Sequence, residues 1–223
     1  MSIPQGRAEI AQRIDHTLLK PDATTRDVQR LCSEARAFGF AAVCVLPALL
    51  PVAVDELAGS AVVPCTVVGF PLGAVPTAVK AYEAAQYVQA GARELDMVMA
   101  LWAAKNDCWS VVQEDMRAVV AAAGSRCAVK VIIETCLLND QEKGAACRCA
   151  AGAGAAFVKT STGLAGGGAT AADIRLMRST VGSGMGVKAS GGIRTLADAR
   201  AMLAAGASRI GTSSGVQILK EAP

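Results

Sequence analysis

Ala153-Gly154-Ala155-Ala156-Phe157-Val158-Lys159-Thr160-Ser161 reads as the end of one helix running directly into a strand. Glycine just past a helix takes up positive φ and lets the last carbonyls find donors, and the aromatic and β-branched residues behind it favour extended chain. The same joint recurs at Ala90-Gly91-Ala92 and at Ala205-Gly206-Ala207, each ahead of another apolar run. Helix starts are marked too. Thr24 with Asp27, Thr170 with Asp173 and Thr195 with Asp198 each set a threonine N-cap three residues ahead of an acid, close to a capping box and favourable to the helix dipole.

Working outward from these marks, strands are expected near 13–18, 40–46, 62–70, 93–99, 128–135, 157–161, 186–190 and 208–212, with helices between and after them and a short one over 49–57. A repeat of about 25–30 residues suits a βα unit, and eight units predict an α/β protein built as a parallel, closed (β/α)8 TIM barrel. No linker or low-complexity segment divides the 223 residues, so 1–223 is expected to form a single domain. Aromatics make up only 4% of a chain that is 52% hydrophobic, so small aliphatic residues must fill the core, as close helix-on-sheet packing requires.

Lys and Arg number 22 against 19 Asp and Glu, without a run of like charge. That balance gives no electrostatic footprint for nucleic acid and favours a small-molecule partner. No apolar run reaches the ~18 residues of a membrane span, and Met1 to Gly6 lacks the basic and apolar regions of a secretory leader, so a cytoplasmic location is expected. The eight cysteines are irregularly spaced; Cys32, Cys44, Cys65 and Cys127 read as reduced core residues. Cys147 and Cys149 form C-x-C in a helical stretch and His16 is the one histidine, so no metal site is expected.

Strand parity locates the chemistry, because successive residues point to opposite faces. Glu94, Asp96 and Val98 share a face, as do Lys130, Ile132 and Glu134, then Phe157, Lys159 and Ser161, then Lys188 and Ser190. The opposite faces are apolar. Counting five residues from each joint glycine reaches Asp96, Lys159 and Gly211, so Asp96 and Lys159 should lie at similar heights. Buried charges are costly unless paired. Two readings stand side by side: a structural ion network, or neighbouring lysines that make each other's ammonium form less favourable and leave one amine neutral and nucleophilic. Glycine-bearing loops follow three adjacent strands, at Gly163 with Gly166-Gly167-Gly168, at Gly191-Gly192 and at Thr212-Ser213-Ser214-Gly215. Backbone amides there suit a phosphate.

Phe157-Val158-Lys159-Thr160-Ser161-Thr162-Gly163 resembles the Schiff-base signature of the deoxyribose-phosphate aldolase family. Ile14-Asp15-His16-Thr17-Leu18-Leu19-Lys20-Pro21, Glu94-Leu95-Asp96-Met97-Val98, Lys130-Val131-Ile132-Ile133-Glu134-Thr135 and Val187-Lys188-Ala189-Ser190-Gly191-Gly192-Ile193-Arg194-Thr195 are similar to family segments in the same order, so the resemblance covers nearly the whole chain. It implies reversible cleavage of 2-deoxy-D-ribose 5-phosphate to acetaldehyde and D-glyceraldehyde 3-phosphate in deoxyribonucleotide catabolism, without metal or organic cofactor, the broken bond being read as C3–C4. It implies Lys159 as the imine-forming residue, Lys188 as the neighbour that keeps its amine neutral, and Asp96 as the proton-transfer carboxylate acting with Lys188 and a water. Gly163, Gly191, Gly192, Ser213 and Ser214 would hold the phosphate. Asp15 and Thr17 are placed near substrate hydroxyls, Lys130 beside Asp96 or Glu134, and Cys44 either lining the pocket or packed inertly. His16 is expected to pack or hydrogen-bond near the first strand.

Two departures stand out. Ala100 occupies a position where many relatives carry asparagine, and Lys220-Glu221-Ala222-Pro223 lacks the tyrosine that ends some relatives; Tyr82 and Tyr87 fall in a helix instead. Relatives are commonly homo-oligomers, and the helix near Trp102 and Trp109 is a candidate interface. The competing readings are another lysine-dependent sugar-phosphate aldolase and a non-catalytic sugar-phosphate-binding barrel.

Overall fold

A computed structural model describes residues 6–223. The part of the expected leader-free amino terminus up to Gln5 lies outside the described residues. Eight strands form one closed parallel barrel in chain order. They are β1 (Ile14–Leu18), β2 (Ala42–Val45), β3 (Val63–Val68), β4 (Glu94–Val98), β5 (Ala128–Ile132), β6 (Phe157–Lys159), β7 (Gly186–Ser190) and β8 (Arg209–Thr212). The pairing of β1 with β8 closes the ring, so no strand edge is left open.

The outward faces of the strands are largely apolar and withdrawn from water: Val43, Leu95, Met97, Val129, Val131, Val158, Val187, Ala189 and Ile210 all pack under the helices, with His16 on β1 and Thr66 on β3 as buried polar exceptions. Each such Leu, Met, Val or Ile contributes about 1.5–3 kcal/mol by leaving water. The helices meet this surface largely through alanine and other compact residues, among them Ala84, Ala146, Ala150 and Ala199, which lets them lie close. Thr24 and Thr195 complete full capping boxes with Asp27 and Asp198, and Thr170 caps its helix through the Asp173 amide. The joint glycines Gly91, Gly154 and Gly206 have φ of +104°, +80° and +113°. At Gly91 a Cβ would also stand 2.8 Å from Val54. The short helix appears as a 3-10 turn, Pro47–Leu49, leading into Leu50–Glu56.

Several strands are shorter than the sequence suggests, and β5 is the instructive case. Extended pairing stops at Ile132, and Glu134 turns to φ +55°, so side-chain alternation does not carry through to it.

The ladder also fixes the levels inside the barrel. Asp96 pairs with Lys130 on β5, whereas Lys159 pairs with Ile132, two residues further along. The ring closes with a stagger of one residue per strand, as in a barrel of shear about 8. Residues level along the axis are therefore two register positions apart on alternate strands. By that rule Cys44, Asp96, Lys159 and Gly211 make one ring, contributed by the even strands, as the count from the joint glycines predicts. Asp15, Cys65, Lys130 and Lys188 make the ring beneath it, from the odd strands. Below that lie Ala42, Glu94, Phe157 and Arg209.

Candidate active site

Three charged layers thus stack along the axis, and their side chains reach across levels. Asp96 is fully buried and central. Its Oδ2 accepts from Lys159 Nζ at 2.6 Å and from Lys188 Nζ at 2.7 Å, while Oδ1 accepts from Lys130 Nζ at 2.8 Å and from the Cys65 thiol at 3.4 Å. Lys188 also donates to Asp15 Oδ2 at 2.5 Å, and Lys130 lies 2.7 Å from Glu94 Oε2. Arg209 closes the base of the network, 2.6 Å from Asp15 Oδ1 and 3.2 Å from Glu94.

Pairing overrules desolvation at Asp15, Asp96, Lys130 and Lys188. Burial alone would raise the pKa of Asp96, but Lys130, Lys159 and Lys188 hold it well below the usual carboxylate range. Asp15 is likewise held down against burial by Lys188, Lys130 and Arg209. Burial would lower Lys188, yet Asp15 and Asp96 hold it above the ordinary lysine value; Lys130 is raised well above it, against burial, by Asp96, Cys65, Asp15 and Glu94. This corrects one expectation from the sequence for Lys130 and Lys188: the two do not simply depress one another, because each has carboxylates on more than one side.

A cavity of about 500 Å3 opens at the C-terminal end of the barrel, walled by the segments after β1, β6, β7 and β8. Lys159 is the member of the charged network that lines it. Thr17, Gly163, Gly191, Gly192 and Ser213 line it as well. Ser214 stands next to it, its amide donating to Thr212 Oγ1 at 2.9 Å. Asp15, Lys130 and Cys44 are fully buried below the cavity wall. Asp15 and Lys130 therefore touch the ions of the network, and Cys44 packs level with Lys159. His16 points outward, to Glu34 at 2.8 Å and onto Phe40 at 5.0 Å between ring centroids.

Hydroxyl groups stitch the cavity loops together. Ser190 Oγ donates to the Ser161 carbonyl at 2.7 Å, Thr160 Oγ1 to the Ser190 carbonyl at 3.0 Å, and Thr212 Oγ1 to the Ile193 carbonyl at 2.7 Å. Glu134 does not join Lys130. From its left-handed backbone it takes the Thr162 hydroxyl at 2.5 Å and the Thr162 amide at 3.1 Å, which fixes the turn carrying Gly163. Gly168 sits so close to the β7 loop that a Cβ would lie 2.4 Å from the Gly191 carbonyl oxygen.

Cys44, Cys65 and Asp96 bring two Sγ atoms and a carboxylate oxygen within 4.8 Å of one another. Cys65 and Asp96 already face ammonium groups there, so a cation would enter against three lysines. All eight cysteines are free thiols, Cys32, Cys44, Cys65 and Cys127 among the buried ones. Sequence reading missed Arg209, which strand parity with Gly211 would have turned inward. It also missed Lys20, Arg194 and Leu164 in the cavity wall, which sit in loops without periodicity. Outside the barrel, fully buried Lys80 pairs with Asp115 at 2.6 Å and donates to the Val98 carbonyl at 3.0 Å.

Comparison with known proteins places the chain in a family. The profile of the DeoC/LacD aldolase family matches residues 10–221. A deoxyribose-phosphate aldolase of Lysinibacillus sphaericus is 55% identical over 209 residues, 94% of each chain. One from Streptococcus pneumoniae is 58% identical over 207 residues, covering 93% of this chain and 94% of its own. The solved structure of a deoxyribose phosphate aldolase from Aeropyrum pernix, described as a unique tetramer, superposes with a TM-score of 0.90 at 39% identity, covering 96% of this chain and 91% of that one.

Proposed function

Since the chain belongs to the DeoC/LacD aldolase family, we propose that Lys159 opens its reaction by attacking the substrate aldehyde, with Asp96 and Lys188 managing the protons. The enzyme is a class I, Schiff-base aldolase that cleaves 2-deoxy-D-ribose 5-phosphate reversibly to D-glyceraldehyde 3-phosphate and acetaldehyde. The observation that carries the residue assignment is that Lys159 alone among the network's described members both touches Asp96 and lines the cavity.

The amine of Lys159 adds to C1 of the open-chain sugar, and loss of water gives a protonated imine. Lys188 and Lys130 are held as ammonium ions by their carboxylates. Lys159 has Asp96 as its one carboxylate partner and is the lysine of the network that lines the cavity, so its amine is the one placed to meet the aldehyde. A base then takes the proton of the C3 hydroxyl. Acetaldehyde carries C1 and C2 away, so the bond that breaks is C2–C3, not C3–C4 as the sequence reading had it. Its electrons flow into the imine to give an enamine, which is protonated at C2 and hydrolysed to acetaldehyde and free Lys159. Asp96 exchanges the protons, directly or through one water, with Lys188 as the fixed charge that offsets its own.

Gly163, Gly191, Gly192, Ser213 and Ser214 hold the phosphate through the loops after β6, β7 and β8, the usual phosphate position in such barrels. Thr17 faces the sugar hydroxyls. Asp15 and Lys130 position the reacting groups from below, Asp15 by fixing Lys188 and Lys130 by fixing Asp96. Cys44 fills its place in the ring as a packed thiol. The sealing of β1 against β8 supports a single domain over 1–223. The tetramer of the Aeropyrum relative, together with a Trp102 left 55% exposed, supports a homo-oligomer. Among the described residues no helix is long and apolar enough to cross a membrane, and eight free thiols suit the reducing cytoplasm.

Borohydride trapping with 2-deoxyribose 5-phosphate, followed by peptide mapping, tests the assignment. An adduct on Lys159 that disappears in Lys159→Leu is the expected result. An adduct on another lysine refutes it.

A further inference from the structure

At the opposite mouth of the barrel a second cavity, about 510 Å3, lies beneath β6, β7 and β8. Its wall holds three guanidinium groups, Arg13, Arg178 and Arg209, and no aspartate or glutamate. Arg209 is already committed to Asp15 and Glu94 and lies 5.3 Å over the Phe157 ring. The other two are not neutralised. Arg178 spends Nε on the Gly206 carbonyl at 3.0 Å and one terminal nitrogen on the Gly182 and Met185 carbonyls at 2.5 and 2.6 Å, while Arg13 reaches the Ser208 carbonyl at a long 3.5 Å. Among the described residues no carboxylate lies within ion-pair distance of either.

Their anchors, the carbonyls of residues 206 and 208, lie on the short turn that leads into β8. Two permanent cations thus line one concavity, and the neutral carbonyls they bond cancel neither charge. Like charges sharing one concavity repel unless an anion lies between them. The planar guanidinium fork matches the oxygens of a phosphate group, and the small residues Ser183 and Gly184 in the same wall leave such a group room to approach. We propose that this N-terminal mouth is a second anion site, taking a phosphate group, free or as a small monoester, between Arg13 and Arg178. It is separate from the cradle assigned above and does not depend on it.

Calorimetric titration with inorganic phosphate at fixed ionic strength tests this on wild type, Arg13→Glu, Ser213→Glu and the double variant. The expected result is two sites per chain in wild type, one in each single variant and none in the double. Loss of all phosphate binding in Ser213→Glu, with Arg13→Glu behaving as wild type, overturns the proposal and leaves the upper cradle intact. Binding lost in Arg13→Glu but kept in Ser213→Glu upholds it and removes the cradle instead. Should charge reversal unfold the chain, Arg13→Gln replaces it. That variant should weaken the lower site about tenfold or more while turnover stays unchanged, and an unaltered affinity refutes the site. Glycerol 3-phosphate binding the lower site more tightly than phosphate identifies a monoester as the ligand; equal or weaker binding identifies the free ion.

Discussion

Lys159 and Lys188 meet on a single atom: both ammonium groups bond to Oδ2 of Asp96, at 2.6 and 2.7 Å. The two lysines come from neighbouring strands in direct register, yet the first reaches the cavity and the second is sealed beneath it. One carboxylate oxygen therefore touches both the amine proposed as nucleophile and a fixed positive charge.

Replacing Lys159 by Leu should leave the fold nearly untouched, because Asp96 keeps Lys130 and Lys188. The unfolding free energy is expected to change by less than about 1.5 kcal/mol, while turnover drops by about 10^4-fold or more. Urea unfolding and acetaldehyde release measure the two effects separately. A loss of stability matching the loss of rate would point to a structural lysine instead.

Asp96→Asn should damage both properties. It leaves fully buried Lys130 and Lys188 short of a shared counter-charge, costing about 3–5 kcal/mol, and removes the proton carrier, costing about 10^2–10^4 in kcat. Wild-type stability in this variant would mean that Asp15 and Glu94 suffice to hold the two ammonium ions.

The pH dependence of stability follows from the same groups. His16 is held below its ordinary value chiefly by burial, so the unfolded chain takes up the proton first and stability should decline as pH falls below about 6.5. Asp15 and Asp96 are depressed; their contribution is complete above about pH 4 and is lost as pH drops through their lower folded values. Lys130 and Lys188 are raised, so theirs is complete below about pH 10 and is lost as pH climbs through their higher folded values. Urea midpoints should be flat from about pH 7 to about 8.5, fall above that as the unfolded chain gives up thiol protons that burial retains on Cys32, Cys127 and Cys147 in the fold, and fall gently below 6.5 and steeply below 4. His16→Gln should abolish the gentle step; its persistence would place that step elsewhere.

Gly168→Ala should act on substrate binding. The added Cβ would lie 2.4 Å from the Gly191 carbonyl oxygen, pushing apart the loops proposed to grip phosphate. KM is expected to rise about tenfold or more with a smaller change in kcat. Steady-state kinetics with 2-deoxyribose 5-phosphate decides it, and an unchanged KM would detach this contact from the phosphate cradle.

Much of this was legible in the chain. Joint glycines and threonine caps delimit the units, and parity in β4 to β7 turns the charges inward because those strands are regular through Asp96, Lys130, Lys159 and Lys188. Where regularity ends, so does the reading. Glu134 has the parity of Lys130 but follows a left-handed turn and bonds Thr162 instead. Lys80 and Asp115 lie on amphipathic helices, where a charged residue ordinarily faces water; only the packing of those helices shows that the two bury one another. Lys20 and Arg194 reach the cavity from loops, whose course depends on contacts made far along the chain.

The ring that holds Lys159 has four places and only three side chains, since Gly211 contributes none. A methyl group there would stand 3.0 Å from both Lys188 Cε and Ser190 Cβ, in the wall of the substrate cavity. The space a fourth side chain would claim is thus already taken by Lys188 and Ser190, and the bare backbone of β8 is what lets Lys188 reach Asp96 from the level below. Any side chain placed at 211 should therefore press first on that fixed ammonium, so the charge balance beside the reacting amine is guarded by a residue that carries no charge itself.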